Sequence, residues 1–478
     1  MKMAPKRSHV RFETYGRRTG RWGTSSENNA VGQAVLRGMS CELDSFLGRP
    51  CDWPGCAAST NPSVSLCPSL SDPNHHSERE ESRMMDRRCI GLDVHRDFCE
   101  VAVWDAGEVS SAGRVEARPE SLAVFAEGLR PTDEVAIEAT SGARRVAEIL
   151  GPHVARVVIA NTHRLAAISE AKCKTDRNDA RTLAQLLAAG MLEGSWVPDE
   201  QIKALRRRVS RRHNLVVART RAKNEVAAIL HRNLSDRPPI SDLFGVAGRR
   251  WLGALDLPDD EVETLSAALR QADFLTAEIE TIERELARFA AGSAEARRLM
   301  TVPGVAMITA VTFLAQVGEI GRFPSPKQLV GYLGLDPRVR QSGNGAAFTG
   351  RISKEGSVLV RHVMVESAHS AIRTPGPLRG FYERTRSRRG HGIAIVATAR
   401  KMVAVFWHLL TREQDYLHSI ELVTKKKLRK VELLAGAPRK RGGGRGRGPN
   451  RDEQRVIDRE RAQRAEDDYR RLVAERRT

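Results

Sequence analysis

The stretch CIGLDVHRDFCEVAVWD, residues 89–105, decides how the chain is read. CIGLDV and FCEVAVWD are two short apolar runs joined by a polar turn, which is the pattern of a hairpin. A third strand lies around GRVEA. The sequence then alternates: a helix in SLAVFAEGL, a strand in EVAIEA, a helix in ARRVAEIL, a strand in ARVVIAN, and a helix in DRNDARTLAQLLAAG that Gly190 closes. Three hairpin-linked strands followed by alternating helices and strands predict an α/β domain over residues 84–195, a mixed sheet covered by helices.

Two of these strands end in acids. Asp93 closes the first after a run of apolar residues, and Glu138 closes EVAIEA in the same way. A carboxylate at the end of a buried strand is costly unless a cation or hydrogen-bond partners meet it. KTDRNDA, residues 174–180, adds Asp176 and Asp179, which are three apart and share a helix face. Acids are favoured at a helix N-terminus with no function attached, so this pair alone does not define a site. If the strands of Asp93 and Glu138 are neighbours, however, their acids emerge side by side and the later helix covers that edge. Four hard oxygen ligands then converge on a pocket suited to one or two Mg²⁺ ions. Such a pair of ions activates the attacking oxygen and stabilises the leaving oxygen in phosphodiester chemistry.

The bulk composition names the kind of partner. The 478 residues carry 78 Lys and Arg against 59 Asp and Glu, a formal net charge of +19, which points to a polyanion and first of all to nucleic acid. Aromatics are only 5% of the chain, so backbone phosphate contacts by Arg and Lys fit better than base stacking. No uninterrupted apolar run is long enough to span a bilayer. Seven cysteines without metal-ligand spacing read as a reducing cytoplasm, where a DNA-binding chain would associate with the nucleoid.

Outside the α/β region the chain divides into four further parts. Residues 1–83 are rich in Ser, Gly, Arg, Pro and Asn and are expected to be disordered, with Met84 or Met85 as the natural start. Residues 196–294 read as a long helical insert. Its second helix carries Leu265, Ala268, Ala272, Leu275, Ile279, Ile282, Leu286 and Phe289 at alternating spacings of three and four, a heptad seam open to coiled-coil association or to packing inside one chain. Its first helix carries Arg206, Arg207 and Arg208, a cluster that either lies along phosphates or faces water. Residues 295–415 form a second compact, mainly α-helical region, closed by the apolar helix IAIVATARKMVAVFWHLL. Residues 416–478 are a basic tail, unstructured or locally helical, suited to non-specific tethering of nucleic acid.

Here a resemblance enters. IGLDVHRD, IEATSG and KTDRNDARTLA are similar to the DEDD transposases of bacterial insertion sequences, the IS110 family that includes the Piv DNA invertase. The run from VPGV (302–305) through GLDPR (334–338), QSGNG (341–345) and ISKEG (352–356) is similar to that family's C-terminal transposase domain. The resemblance covers about 85–195 and 295–410. It implies a ribonuclease H-like, RuvC-like first domain in which Asp93, Glu138, Asp176 and Asp179 hold Mg²⁺. It also implies a serine nucleophile, Ser342, which otherwise reads as part of a surface turn; Arg338, Arg340, Arg351 and Lys354 lie around it as candidate phosphate ligands. The partners it implies are double-stranded DNA, as element ends and target, and a structured noncoding guide RNA. Cutting and rejoining two DNA sites further calls for a homo-oligomer, a dimer or a tetramer, with no membrane involved. The resulting reading is a transposase that performs Mg²⁺-dependent strand exchange. Two others share parts of the pattern: a site-specific invertase or RuvC-type junction nuclease, and a non-catalytic nucleic-acid-binding protein whose acids are helix caps.

Overall fold

A computed structural model describes residues 88–160, 175–192, 194, 196–341, 343, 345, 347–439 and 451–475. The expectations for residues 1–83 and for the start at Met84 or Met85 lie outside these residues, as does Ser342. The chain divides into two compact units between Asp199 and Glu200.

The first unit is built on a five-stranded sheet: β1 (Cys89–Val94), β2 (Phe98–Asp105), β3 (Glu108–Glu116), β4 (Glu134–Glu138) and β5 (Arg156–Ala160), in the order β3-β2-β1-β4-β5. The hairpins make β1, β2 and β3 antiparallel neighbours, while β4 lies parallel to β1 and β5 parallel to β4. Every residue of β1 is buried, as a central strand covered on both faces requires. Ile90, Leu92 and Val94 pack on one face with Leu122 of helix α1 (Pro119–Glu127) and with Val146 and Leu150 of α2 (Ala143–Leu150). On the other face Cys89 and Ala136 pack with Leu183 and Leu187 of α3 (Asp176–Ala188).

Gly91 sets the distance between α3 and the sheet. A Cβ at this position would lie 2.0 Å from the Ala180 carbonyl oxygen and 2.7 Å from the Ala184 nitrogen. Only a residue without a side chain lets the helix backbone approach that closely. The small residues Ala180 and Ala184 complete the fit from the helix side, and the same approach brings the N-terminus of α3 down to the end of β1.

The second unit begins with two long helices, α4 (Glu200–Arg232) and α6 (Asp259–Gly292), with the short α5 (Val246–Leu252) between them. Ion pairs Arg208–Glu285, Arg211–Glu278 and Arg212–Glu283 run across the two in antiparallel order. The heptad seam faces α4 of the same chain: Leu265, Ala268, Ala272, Leu275, Ile279, Ile282 and Leu286 are buried, and only Phe289 is partly so. Of the two outcomes the spacing allows, packing inside one chain is the one observed.

The helices continue into a core made by α7 (Ala294–Leu299), α8 (Met307–Val317), α9 (Pro326–Tyr332), α10 (Val358–Ala371), α11 (Pro377–Arg389) and α12 (His391–Thr411). Phe313 of α8 and Phe406 of α12 meet edge to face at its centre, with centroids 4.9 Å apart. By length and hydropathy α12 matches a membrane span, but Ala399, Met402, Val403 and Phe406 are fully buried in this core. A hairpin of β6 (Pro337–Arg340) and β7 (Phe348–Ile352) projects between α9 and α10. The basic tail is locally helical where described, as α13 (Glu421–Leu434) and α14 (Arg451–Glu475). Lys427 of α13 donates to the carbonyls of Met300, Val302 and Val305, and Glu466 of α14 accepts from the Gly376 N–H beside α11.

Candidate active site

β1 carries Asp93 at its C-terminal end, where only 3% of the residue is exposed. The parallel register pairs Gly91 with Ala136 and Leu92 with Ile137, so one step further Asp93 stands beside Glu138, the last residue of β4. Hydrogen bonding between the Asp93 and Glu138 carboxyls favours the protonated form of Asp93. Burial, followed by this bond, pushes the Asp93 carboxyl up to about 7; His95 opposes the rise, while the charges of Glu138 and Asp176 add to it. The Cys99 thiol is pushed up to about 11 by burial and by the charge on Asp93.

The third acid comes from α3. Thr175 caps this helix by accepting from the Asn178 N–H, which makes Asp176 its first residue. His95 joins it to the strand: its Nε2 lies 3.1 Å from Asp93 Oδ2 and 3.2 Å from Asp176 Oδ2. One ligand atom each from Asp93, His95 and Asp176 lies within 4.8 Å of the others. Asp179 is buried on the same helix, next to Ala180, whose carbonyl faces Gly91. The structure thus gathers Asp93, Glu138 and Asp176 directly and sets Asp179 one turn along α3 on its buried side.

Two members of this edge are absent from the acids singled out in the sequence. His95 follows Asp93 by two residues in DVHRD, and that short spacing was its signal. Glu100 lies directly across from Asp93 in β2, buried, and accepts from Arg114 Nε at 2.7 Å. An acid within the apolar run FCEVAV was the sign of such a buried pair. Arg114 neutralises Glu100, which leaves the Asp93 side of the row as the acidic one.

The donor set suits a divalent ion. Carboxylate oxygens of Asp93 and Asp176, one from a strand and one from a helix, converge with the His95 imidazole where burial already disfavours negative charge, and Glu138 stands beside Asp93. An oxygen-rich set of this kind is typical of Mg²⁺ or Mn²⁺.

In the second unit the β6–β7 hairpin is held firmly at its base. Ser353 Oγ donates to Asp336 Oδ1 at 2.6 Å, and its N–H donates to the Asp336 carbonyl at 2.8 Å. Ser357 caps the following helix, accepting from the Val360 N–H. Arg361 Nη1 donates to the carbonyls of Leu333, Glu355 and Gly356, tying the two ends of the hairpin together. Gly334 has φ +66° and lies so close to Glu355 that a Cβ there would fall 1.9 Å from its carbonyl oxygen. Arg338, Arg340, Arg351 and Lys354 are all exposed on this hairpin and its exit, and Arg338 also donates to the Ser353 carbonyl.

Arg206, Arg207 and Arg208 of α4 are occupied within the chain. Arg206 donates to the carbonyls of Ala315 and Gln316 at the end of α8, both at 2.7 Å. Arg207 pairs with Glu200 and Arg208 with Glu285.

Comparison with known proteins adds an independent line. Residues 90–233 match the DEDD transposase family of the IS110 type, and residues 296–383 match the family described as transposase IS116/IS110/IS902. The chain is 27% identical over 369 residues to the transposase for insertion sequence element IS1111A of Coxiella burnetii, covering 71% of this chain and 94% of that protein. It is 35% identical over 199 residues to a putative transposase, y4qE, of Sinorhizobium fredii, covering 41% of this chain and 48% of that one. A probable family 20 transposase of Pseudomonas aeruginosa is 27% identical over 265 residues, 51% of this chain and 74% of its own.

Proposed function

Because the chain belongs to the IS110-type DEDD transposases of insertion sequences, we propose that it carries out Mg²⁺-dependent DNA strand exchange with two sets of residues, the acids of the sheet edge and Ser342. The observation that carries this reading is the meeting of Asp93, His95 and Asp176, with Glu138 next to Asp93, at the end of a buried strand pair. The strand order, with three antiparallel strands followed by two parallel ones and α3 packed over β1, supports a ribonuclease H-like first domain. In this reading a catalytic domain spans 84–195, a helical insert 196–294 and a serine-bearing domain 295–415; the division between compact units after Asp199 and the family match over 296–383 support it, while the first match runs on through residue 233.

In this mechanism Asp93, Glu138, Asp176 and Asp179 hold the metal. The bound metal supplies Lewis-acid activation of a phosphodiester and charge neutralisation at the leaving oxygen. Ser342 Oγ attacks the phosphorus, an O–P bond to the protein forms, and the sugar oxygen leaves with a proton. The phosphoserine ester keeps the bond energy for rejoining, when a second DNA hydroxyl displaces Ser342. Arg338, Arg340, Arg351 and Lys354 are exposed on the hairpin that brackets Ser342, which suits them to neutralise phosphate oxygens.

The substrates in this reading are the element's ends and a target duplex, brought together by a homo-oligomer in the cytoplasm. A structured RNA that pairs with both would choose the sequence while the protein reads backbone and shape, as in other RNA-guided systems. The +19 net charge supports polyanion binding of either kind. Because the heptad seam is buried inside the chain, self-association must use other surfaces.

The test is a strand-exchange assay in Mg²⁺ with protein coexpressed with its flanking noncoding DNA. Wild type should give exchange products and a covalent protein–DNA species. Ser342→Ala and Asp176→Ala should each abolish both. Cleavage that survives in Ser342→Ala but not in Asp176→Ala would replace this reading with a RuvC-type nuclease.

A further inference from the structure

We propose that His95 is a nitrogen ligand of the ion held by Asp93 and Asp176, so that this site prefers Mn²⁺ over Mg²⁺ more strongly than four carboxylates would. The inference rests on the metal reading above and assigns a residue outside the four acids.

The spacing is the first argument. Nε2 of His95 stands 3.1 Å from one carboxylate oxygen and 3.2 Å from the other. Adjacent ligands of an octahedral ion with bonds of roughly 2.1 Å are about 3 Å apart. Nε2 therefore stands at neighbouring-ligand distance from both oxygens, and the three donor atoms fall within 4.8 Å of one another. An ion pair or hydrogen bond shows the same distance, so it is the convergence of one nitrogen with acids from a strand and from a helix, together with the hold on the ring, that carries the assignment.

The second argument is that the ring is held in place. The backbone N–H of His95 donates to the Phe98 carbonyl across the β1–β2 turn at 2.9 Å, which fixes the backbone that carries the ring. The imidazole lies against the Phe98 ring, with centroids 5.0 Å apart, and Arg114 covers Phe98 with its guanidinium 4.2 Å from the ring centroid. Arg114 is itself anchored by Glu100. This stack limits where the ring can swing and keeps Nε2 aimed at the acids. A pre-oriented donor loses little freedom when it binds an ion, which is how supporting contacts raise metal affinity.

The third argument is chemical. Imidazole nitrogen is a borderline donor that Mn²⁺ and later first-row ions accept readily, whereas Mg²⁺ favours oxygen and retains water. Replacing one oxygen or water position with Nε2 thus shifts selectivity in a known direction. DVHRD places the ligand two residues from Asp93, so the hairpin turn itself builds this part of the site.

The experiment uses the full-length protein with Mn²⁺ as the probe. Pulsed electron paramagnetic resonance should detect ¹⁴N coupling to bound Mn²⁺ in wild type. In His95→Ala the ion should still bind, with that coupling gone and Mn²⁺ affinity lower by about tenfold. Mg²⁺ affinity, read by competition, should change by less than roughly threefold. Bound Mn²⁺ without nitrogen coupling in wild type would overturn the inference and leave the carboxylate site standing. Equal losses for both ions in His95→Ala, again without coupling in wild type, would make His95 a positioning residue only. If wild type binds no Mn²⁺, or binds it as well after Asp93→Asn with Asp176→Asn, the metal reading itself fails, and the inference with it.

Discussion

The acidic edge of the sheet and the arginine face of α4 are both dense clusters of charge, and they are built in opposite ways. On α4 the arginines meet a partner inside the chain: Arg206 two carbonyls, and Arg207, Arg208, Arg211 and Arg212 a glutamate each. At the sheet edge, like charges are brought together instead, and Asp93 is pushed up to about 7 as a result. A cluster that balances its own charge serves the fold. One that the fold holds together against its own repulsion is waiting for something else to balance it, and its stability suffers meanwhile. The sign of the net charge therefore misleads locally: in a chain of +19, the acids are the better pointer to the reaction.

The comparison is broken most severely at Gly91. Gly91→Ala puts a methyl group 2.0 Å from the Ala180 carbonyl, and backbone on both sides has to move. We expect a loss of about 3 kcal/mol in stability, at the upper end for overpacking. Strand exchange should fall by at least about a hundredfold even where the variant folds, because a misplacement of about 1 Å is enough to do that. Chemical denaturation and exchange assays on the same preparation check both. A variant with near-normal exchange would mean that the seat of α3 on β1 does not set the site.

The arginine cluster is sharpened by splitting it. Arg206→Ala leaves two carbonyls at the end of α8 without their charged donor, for which about 2 kcal/mol is expected. Arg207→Ala removes an exposed ion pair and should leave the denaturation midpoint unchanged. Nucleic-acid affinity distinguishes the roles further. If Arg207→Ala or Arg208→Ala weakens DNA or RNA binding at low salt, the internal pairing is exchanged for phosphates on binding, and the contrast with the acid edge narrows.

The sequence made the acids legible because their positions follow from strand ends and a helix start, both of which are local features. The adjacency of β1 and β4 was the one non-local step, and the observed register supplies it. His95 was harder to see. Its role depends on a hairpin turn that folds residue 95 back over residue 93 and toward a helix more than eighty residues away. For the heptad seam, spacing identified the buried face but could not name what buries it: α4 and a second copy satisfy the same pattern. The cap of α10 is ambiguous in the sequence for a related reason. ISKEGS offers two serines near a helix start, and the close crossing of Gly334 over Glu355 turns the first toward Asp336 and leaves the cap to Ser357.

A pH-dependent effect is the most direct test of the strain at the acid edge. In metal-free protein the folded-state Asp93 carboxyl titrates near 7, above the ordinary value of 3.8 for an unfolded chain. Between these values the folded state binds more protons than the unfolded one, so stability falls as pH rises through that window. The penalty is fully present above about pH 7 and absent below about pH 4. Asp93→Asn removes the titrating group. In a chelator, this variant should be more stable than wild type at pH 8, by on the order of 2 kcal/mol once screening at the rim of the sheet is allowed for. The advantage should shrink steadily as pH falls toward 4. A divalent ion should reverse the order at pH 8, because it stabilises only the protein that can hold it. An advantage that does not vary with pH would trace to packing rather than charge, and would remove the electrostatic contrast between the sheet edge and α4.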